Sequence, residues 1–148
     1  MKIVRESLLE FQRGQDPMKT LELGGKLQQI KDWLSPYLFS SQYKVNSDYT
    51  IDVVRGDFIA IDETPEIPEY VKFNICKGSF IISGQGFKDL FGCPRIVEKD
   101  FIVSANKIVS LNGSPEIVIG SYVINNNPGN FTIDDVRKVC DVKGKIWV

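Results

Sequence analysis

The sequence contains no histidine among its 148 residues. This absence removes the most common general base and the most common zinc ligand, and with them the serine–histidine and cysteine–histidine catalytic arrangements. The acid pairs Asp62-Glu63 and Asp134-Asp135 remain, but no substrate-binding aromatic residues are grouped around them. We therefore expect a protein that is not an enzyme, with no catalytic residues, no metal site and no cofactor.

Long apolar runs are also missing, and the first residues carry charges where a signal peptide needs its hydrophobic stretch. The three cysteines, Cys76, Cys93 and Cys140, are odd in number and widely spaced, which is typical of reduced thiols and not of a disulfide framework. These features predict a soluble, cytoplasmic protein that does not contact a membrane.

The charge is nearly balanced, at −1 overall with no basic tract, so the electrostatic footprint of a nucleic-acid-binding protein is absent. One stretch is strongly acidic, because Arg55 is its only basic residue. Its acidic residues are Asp48, Asp52, Asp57, Asp62, Glu63, Glu66 and Glu69. Two interpretations stay open: a solvated hairpin and loop, or a contact surface for a basic partner.

A 21-residue repeat dominates the second half of the chain. The block at residues 78–83 aligns with the blocks at 99–104 and 120–125, and the segment at 90–97 aligns with that at 111–118. Such a constant period is the signature of a solenoid, in which each coil buries its apolar side against its neighbours.

Each repeat begins with an aromatic residue and carries an aliphatic residue two positions later, which predicts a short strand with one inward-facing side. The pairs are Phe80 with Ile82, Phe101 with Val103, and Tyr122 with Ile124. Five residues after each aromatic residue comes a side-chain amide, at Gln85, Asn106 and Asn127. Because these amides can bond the backbone of the turn, stacked coils should form an amide ladder. A Gly-x-Pro step, such as Gly113 with Pro115, then turns the chain on the far side.

The first third of the chain has helical patterns followed by alternation. We predict three short helices, over residues 2–12, 17–23 and 26–34, with Gly14 and Gly24-Gly25 as their ends. Residues 43–61 alternate between apolar and polar positions, which predicts two or three antiparallel strands with tight turns. Near the carboxyl terminus, Thr132 has the form of a helix N-cap, with Asp135 at the third helical position, for a helix through about Cys140.

The repeat from Phe101 to Leu111 resembles the leucine-rich-repeat consensus, with phenylalanine in place of its first leucine. The later Gly-Cys-Pro step at Gly92-Cys93-Pro94 is similar to a variant found in many small bacterial and bacteriophage proteins. The resemblance covers about residues 68–130. The chain departs from it at two positions: Gln85 stands where asparagine is expected, and Gly129 stands where an aliphatic residue is expected. The resemblance implies a binding scaffold and carries no catalytic residues.

These patterns together predict an α+β fold in one domain spanning residues 1–148. It is a short leucine-rich-repeat-like solenoid with one parallel strand per coil. Residues 1–40 are expected to form a helical cap, 43–75 a hairpin with a degenerate first repeat, 78–130 the repeats, and 131–148 a C-terminal cap.

The opening block at residues 10–17 resembles the start of small proteins encoded by large tailed phages, and Leu8-Leu9-Glu10 has the form of a prohead-protease cleavage site. That resemblance implies an infected or prophage-carrying bacterium as the setting. It also implies a structural or packaged virion component as the alternative to an intracellular interaction protein.

The outward positions of the predicted strands form the candidate binding face, since the sheet is the usual binding face of such a solenoid. An apolar column with polar flanks is typical of a protein-contact patch. The candidate residues are Ile81, Ser83, Asp100, Ile102, Ser104, Val123 and Asn125. The expected partner is another protein, and the competing interpretation is that the chain's own N-terminal helices cover the column.

Overall fold

Each repeat folds into one coil with two short strands, as seen in a computed structural model that describes residues 17–38, 41–61 and 63–148. The helices are α1 (Pro17–Leu34) and α2 (Ile133–Val139). The strands are β1 (Gln42–Val45), β2 (Thr50–Arg55), β3 (Phe58–Ile59), β4 (Lys72–Cys76), β5 (Phe80–Ile81), β6 (Ile96–Val97), β7 (Phe101–Ile102), β8 (Ile117–Val118), β9 (Tyr122–Val123), β10 (Asp141–Val142) and β11 (Ile146–Trp147).

The strands build two sheets that face each other across one core. Sheet A has six strands in the order β1-β2-β4-β6-β8-β10, and sheet B has five in the order β11-β9-β7-β5-β3. Among the described strands, every pairing is parallel except that of β1 with β2. Four successive coils contribute one strand to each sheet, and β10 and β11 extend both sheets by one rung. The predicted solenoid is confirmed.

The prediction of one parallel strand per coil is wrong, because the return segment of each coil also pairs with its neighbours. Val97 and Val118 point into the core from β6 and β8, while Ile96 and Ile117 beside them are half-buried. The predicted turn before β8 is present. Gly113 has a φ of 90°, and Ser114 N–H donates to the carbonyl of Leu111 at 3.0 Å.

A column of aromatic rings, one from each of four successive coils, runs through the core. Phe58, Phe80, Phe101 and Tyr122 are all fully buried. Ring centroids lie 4.7 Å apart for Phe58 and Phe80, 6.1 Å for Phe80 and Phe101, and 5.0 Å for Phe101 and Tyr122. The predicted inward register of the aromatic residues is confirmed.

The amide ladder is also confirmed, with each side chain bonding the backbone of the coil before it. Asn106 Oδ1 accepts the backbone N–H groups of Gln85, Gly86 and Phe87 at 2.9, 2.9 and 3.1 Å. Its Nδ2 donates to the carbonyls of Ile82 and Val103 at 2.8 and 3.0 Å. Asn127 repeats the pattern one coil later, and Gln85 Oε1 accepts from Thr64 N–H at 2.9 Å in the first coil.

The two helices predicted over residues 17–34 are one continuous helix, α1, so the predicted break at Gly24-Gly25 is wrong. Glycine costs about 1 kcal/mol relative to alanine inside a helix but can still adopt helical angles. Burial of Leu27, Ile30 and Leu34 offsets that cost. The helix predicted over residues 2–12 lies outside the described residues.

The region predicted as antiparallel strands is divided between two kinds of pairing. The hairpin of β1 and β2 is antiparallel as expected. However, β2 pairs in parallel with β4, and β3 pairs in parallel with β5, so these strands form the first coil of the solenoid. The repeats therefore begin about one coil earlier than residue 78.

The predicted C-terminal helix is confirmed as α2. Thr132 Oγ1 accepts from Asp135 N–H at 3.1 Å, and Asp135 Oδ2 accepts from Thr132 N–H at 2.9 Å, which completes a capping box. Hydrogen bonding to Thr132 lowers the pKa of the Asp135 carboxyl. In the described part of the chain, neither helix is long and apolar enough to cross a membrane.

Candidate functional site

The outward positions of sheet B form one apolar column, which we name the outward face: Ile59, Ile81, Ile102, Val123 and Trp147. Each follows an inward residue of its strand, except Trp147, which follows the half-buried Ile146. The register pairs each member with the next across the sheet. With strands about 4.8 Å apart, five rungs span roughly 19 Å.

The structure brings the sequence-predicted apolar residues together in the middle of this face. Ile81, Ile102 and Val123 occupy three adjacent rungs, and all three are half-buried. The ends of the column are more open, with Ile59 44 % and Trp147 54 % exposed. A solvent-facing apolar strip of this length is unusual for a surface that contacts only water.

One flank of the outward face is a row of small polar side chains where the strands end. Ser83 Oγ and Ser104 Oγ lie 3.2 Å apart and share a hydrogen bond. Asn125 occupies the equivalent position in the next coil, and its Oδ1 is buried without a partner among the described residues. All three predicted residues of this flank therefore lie in one row.

The other flank is a ladder of alternating carboxylates and hydroxyls where the strands begin. Asp57 Oδ1 accepts from Ser79 N–H at 2.7 Å, and Ser79 Oγ accepts from Asp100 N–H at 3.2 Å. Asp100 Oδ1 in turn accepts from Ser121 N–H at 2.8 Å. Asp100, a predicted contact residue, thus also fixes the spacing between two coils.

The described helix α1 packs on the end of the core and not over the outward face. Trp33 stacks on Phe58 with ring centroids 6.0 Å apart, and Tyr37 lies 5.4 Å from the same ring. Phe58 points inward, so these contacts lie on the opposite side of β3 from Ile59. The predicted helix over residues 2–12 lies outside the described residues, so the competing interpretation of a helix-covered column stays open.

The sequence prediction missed both ends of the outward face. Ile59 belongs to the block Gly56-Asp57-Phe58-Ile59, which resembles Gly78-Ser79-Phe80-Ile81 but precedes it by slightly more than the regular period. Trp147 follows Val123 at an even longer step, and Lys145 Nζ lies 5.9 Å from its ring centroid. The signal available in the sequence was a glycine two residues before each of the two end strands, Gly56 before β3 and Gly144 before β11.

A cleft adjoins the outward face at its N-terminal end, and no sequence pattern indicated it. It has a volume of about 370 Å³. Its lining residues are Pro36, Tyr37, Ser41, Gly56, Asp57, Ile59 and Ile61. Among these described lining residues, Asp57 supplies a carboxylate. Ile59 and Ile61, each at least 40 % exposed, supply apolar surface, so the cleft is both acidic and apolar.

The cysteines are placed for packing and not for reaction. All three are buried with free thiols, and burial raises the pKa of Cys76 to about 11 and that of Cys140 to about 12. Burial raises the pKa of Cys93 as well. Since the thiolate is the nucleophile, these shifts make each thiol less reactive at neutral pH. Among the residues that the structure describes, no group of histidine, cysteine and acidic side chains is placed to hold a metal ion.

Comparison of the chain with protein-family models, with curated proteins and with solved structures gives no match.

Proposed function

We propose that the chain is a non-catalytic protein–protein interaction module that binds its partner through the outward face of sheet B. The observation that supports this most is the continuity of the apolar column over five rungs, from Ile59 to Trp147. Polar flanks on both sides match the usual anatomy of an interface, an apolar centre with a polar rim. The leucine-rich-repeat resemblance agrees with it, since such scaffolds bind through their sheet.

The amide ladder and the aromatic core support this role by making the face rigid. Asn106 and Asn127 bond successive coils at the turns that follow the strands, so the outward side chains keep a fixed spacing. A preformed surface loses little conformational freedom on binding. We infer that α1 and α2 close the two ends of the solenoid, with the outward face between them.

Affinity capture with matched variants tests the proposal. The baits are the wild-type chain, Ile102→Asp in the centre of the outward face, and Val109→Asp as control. Val109 is 65 % exposed but lies outside that face. We expect at least one captured protein to be lost with Ile102→Asp and retained with Val109→Asp, because an unpaired charge in a desolvated interface breaks binding. Identical capture by all three baits would contradict the proposal.

A structural or packaged virion component is the second candidate. The resemblance that favours it lies at residues 8–17, almost wholly outside the described part of the chain. Mass spectrometry of purified particles tests it, and we expect the chain there intact or trimmed after Glu10. A chain found only in the soluble fraction of infected cells would exclude this role.

A further inference from the structure

Among the described strands, β3 is the edge of sheet B, and one side of its backbone faces away from the sheet. Phe58 N–H donates to Ser79 O at 3.0 Å and Ala60 N–H donates to Ile81 O at 2.9 Å. Successive residues of a strand direct their peptide groups to opposite sides, so the N–H and C=O of Ile59 point away from β5. On that side Asp57 O already accepts from Ser41 Oγ, so the peptide groups of Ile59 are the part of the edge left to pair with another strand.

The cleft described above lies on that open side of β3. Its far wall is held in place by two hydrogen bonds: Tyr37 Oη with Thr64 Oγ1 at 2.8 Å, and Ser41 Oγ to Asp57 O at 2.9 Å. A volume of about 370 Å³ is within the usual range for ligand pockets, at its lower end. The space is therefore preformed and suits a short length of extended chain.

The negative charge of the cleft favours ligands with a basic side chain. Of the described residues that line it, Asp57 alone is charged, and Oδ1 of its carboxylate accepts from Ser79 N–H. In the sequence, Asp57 is one of seven acidic residues in the stretch 48–69, whose only basic residue is Arg55. A basic side chain is the complement to this surface.

We propose that the cleft binds an extended basic peptide segment of a partner protein, which adds as a strand to the edge of β3. The backbone of the segment pairs with Ile59, an apolar side chain packs on Ile59 and Ile61, and a lysine or arginine lies beside Asp57. This is strand addition, in which main-chain bonds supply affinity and alternate side chains supply specificity. The inference goes beyond the proposed function, because it concerns the sheet edge and does not require the outward face.

The test is a titration of the ¹⁵N-labelled full chain with a capped octapeptide of alternating valine and lysine, followed by NMR. We expect saturable shifts of the amide signals of Ile59 and Ile61, with those of Ile102 and Val123 unmoved. The same peptide N-methylated at alternate residues should not bind, because it cannot pair along its edge. A peptide with glutamate in place of lysine should not bind either.

Two charge-removing variants complete the test. Asp57→Asn keeps the Oδ1 acceptor for Ser79 N–H and should weaken binding of the lysine peptide roughly fivefold. Asp89→Asn removes a carboxylate that likewise accepts a backbone N–H, from Phe91 at 3.1 Å, but lies outside the cleft and the outward face, and it should leave binding unchanged. The proposal is overturned by the absence of saturable shifts at millimolar peptide, by equal binding of the N-methylated peptide, or by equal effects of the two variants. If Asp57→Asn fails to fold, the N-methylated and glutamate peptides decide the question on the wild-type chain.

Discussion

Ser114 Oγ and Tyr122 Oη lie 2.8 Å apart and share a hydrogen bond at the edge of the core. In the previous coil, Cys93 and Phe101 occupy the same two positions. The coil that has the phenolic hydroxyl therefore also has the serine that bonds it, and the previous coil has neither. Burial raises the pKa of Tyr122 and keeps its hydroxyl protonated as a partner for Ser114.

This relationship predicts coupling between the two sites. Ser114→Cys leaves the buried Tyr122 hydroxyl unpaired and should cost about 1 to 3 kcal/mol in the free energy of unfolding. Tyr122→Phe should cost about 1 kcal/mol. The double variant recreates the Cys93–Phe101 pair and should cost less than the sum of the two, as measured by denaturant unfolding. Additive losses would show that the two side chains do not act as a pair.

The aromatic column should carry a large part of the stability. Phe101→Ala removes a fully buried ring between Phe80 and Tyr122 and should cost about 3 to 5 kcal/mol in denaturant unfolding. Phe91→Ala is the matched control, because Phe91 is 61 % exposed and should lose far less. A loss below about 1 kcal/mol for Phe101→Ala would be incompatible with the inward register.

The amide of Asn106 should not be replaceable by a carboxylate. Asn106→Asp keeps the oxygen that accepts three N–H groups, but places a second oxygen against the carbonyls of Ile82 and Val103. We expect a loss of at least about 3 kcal/mol at neutral pH, because a buried charge then faces acceptors. Part of the loss should be recovered near pH 4, where the new carboxyl can protonate and donate. Gln85→Glu, at the less buried position, is the control and should cost less.

Stability should fall in alkaline solution. Burial raises the pKa of Cys76 to about 11, above the value of about 8.5 in an unfolded chain. The contribution of the protonated Cys76 thiol to the free energy of unfolding is therefore fully present below about pH 8.5, and it is lost as the pH rises towards 11. We expect the free energy of unfolding, measured under reducing conditions, to fall less steeply over this range in Cys76→Ala than in the wild type. Equal slopes would mean that the Cys76 thiol titrates alike in both states.

The sequence predicted the parts of the fold that follow from periodicity. The spacing of Phe80, Phe101 and Tyr122 indicated the coil, the inward register and the outward positions of sheet B. The amides at Asn106 and Asn127 were predicted from the same spacing, because each coil repeats one set of hydrogen bonds. The predicted contact residues accordingly lie together on one face.

The parts that were missed depend on contacts too short or too irregular to leave a pattern. The second strand of a coil, such as Ile96–Val97, directly follows the Gly-x-Pro step and lacks the aromatic-x-aliphatic pattern that marks Phe80 and Ile82, so it was not recognised. Phe58 precedes Phe80 by slightly more than the regular period. An alignment of repeats at constant spacing therefore did not include the first coil. The cleft beside β3 arises from residues distant in sequence, Tyr37 and Asp57 among them, and no local motif marks it.

If the outward face of sheet B is open for a partner, the full chain should tolerate Ile102→Asp. A charge at an open position in mid-strand should cost no more than about 1 kcal/mol, the range of strand propensity. Val109→Asp supplies the reference for an exposed apolar residue elsewhere. We predict that thermal and denaturant unfolding place Ile102→Asp within about 1 kcal/mol of Val109→Asp. A loss of several kcal/mol for Ile102→Asp alone would show that the chain itself covers Ile102 and that the face is not open for a partner.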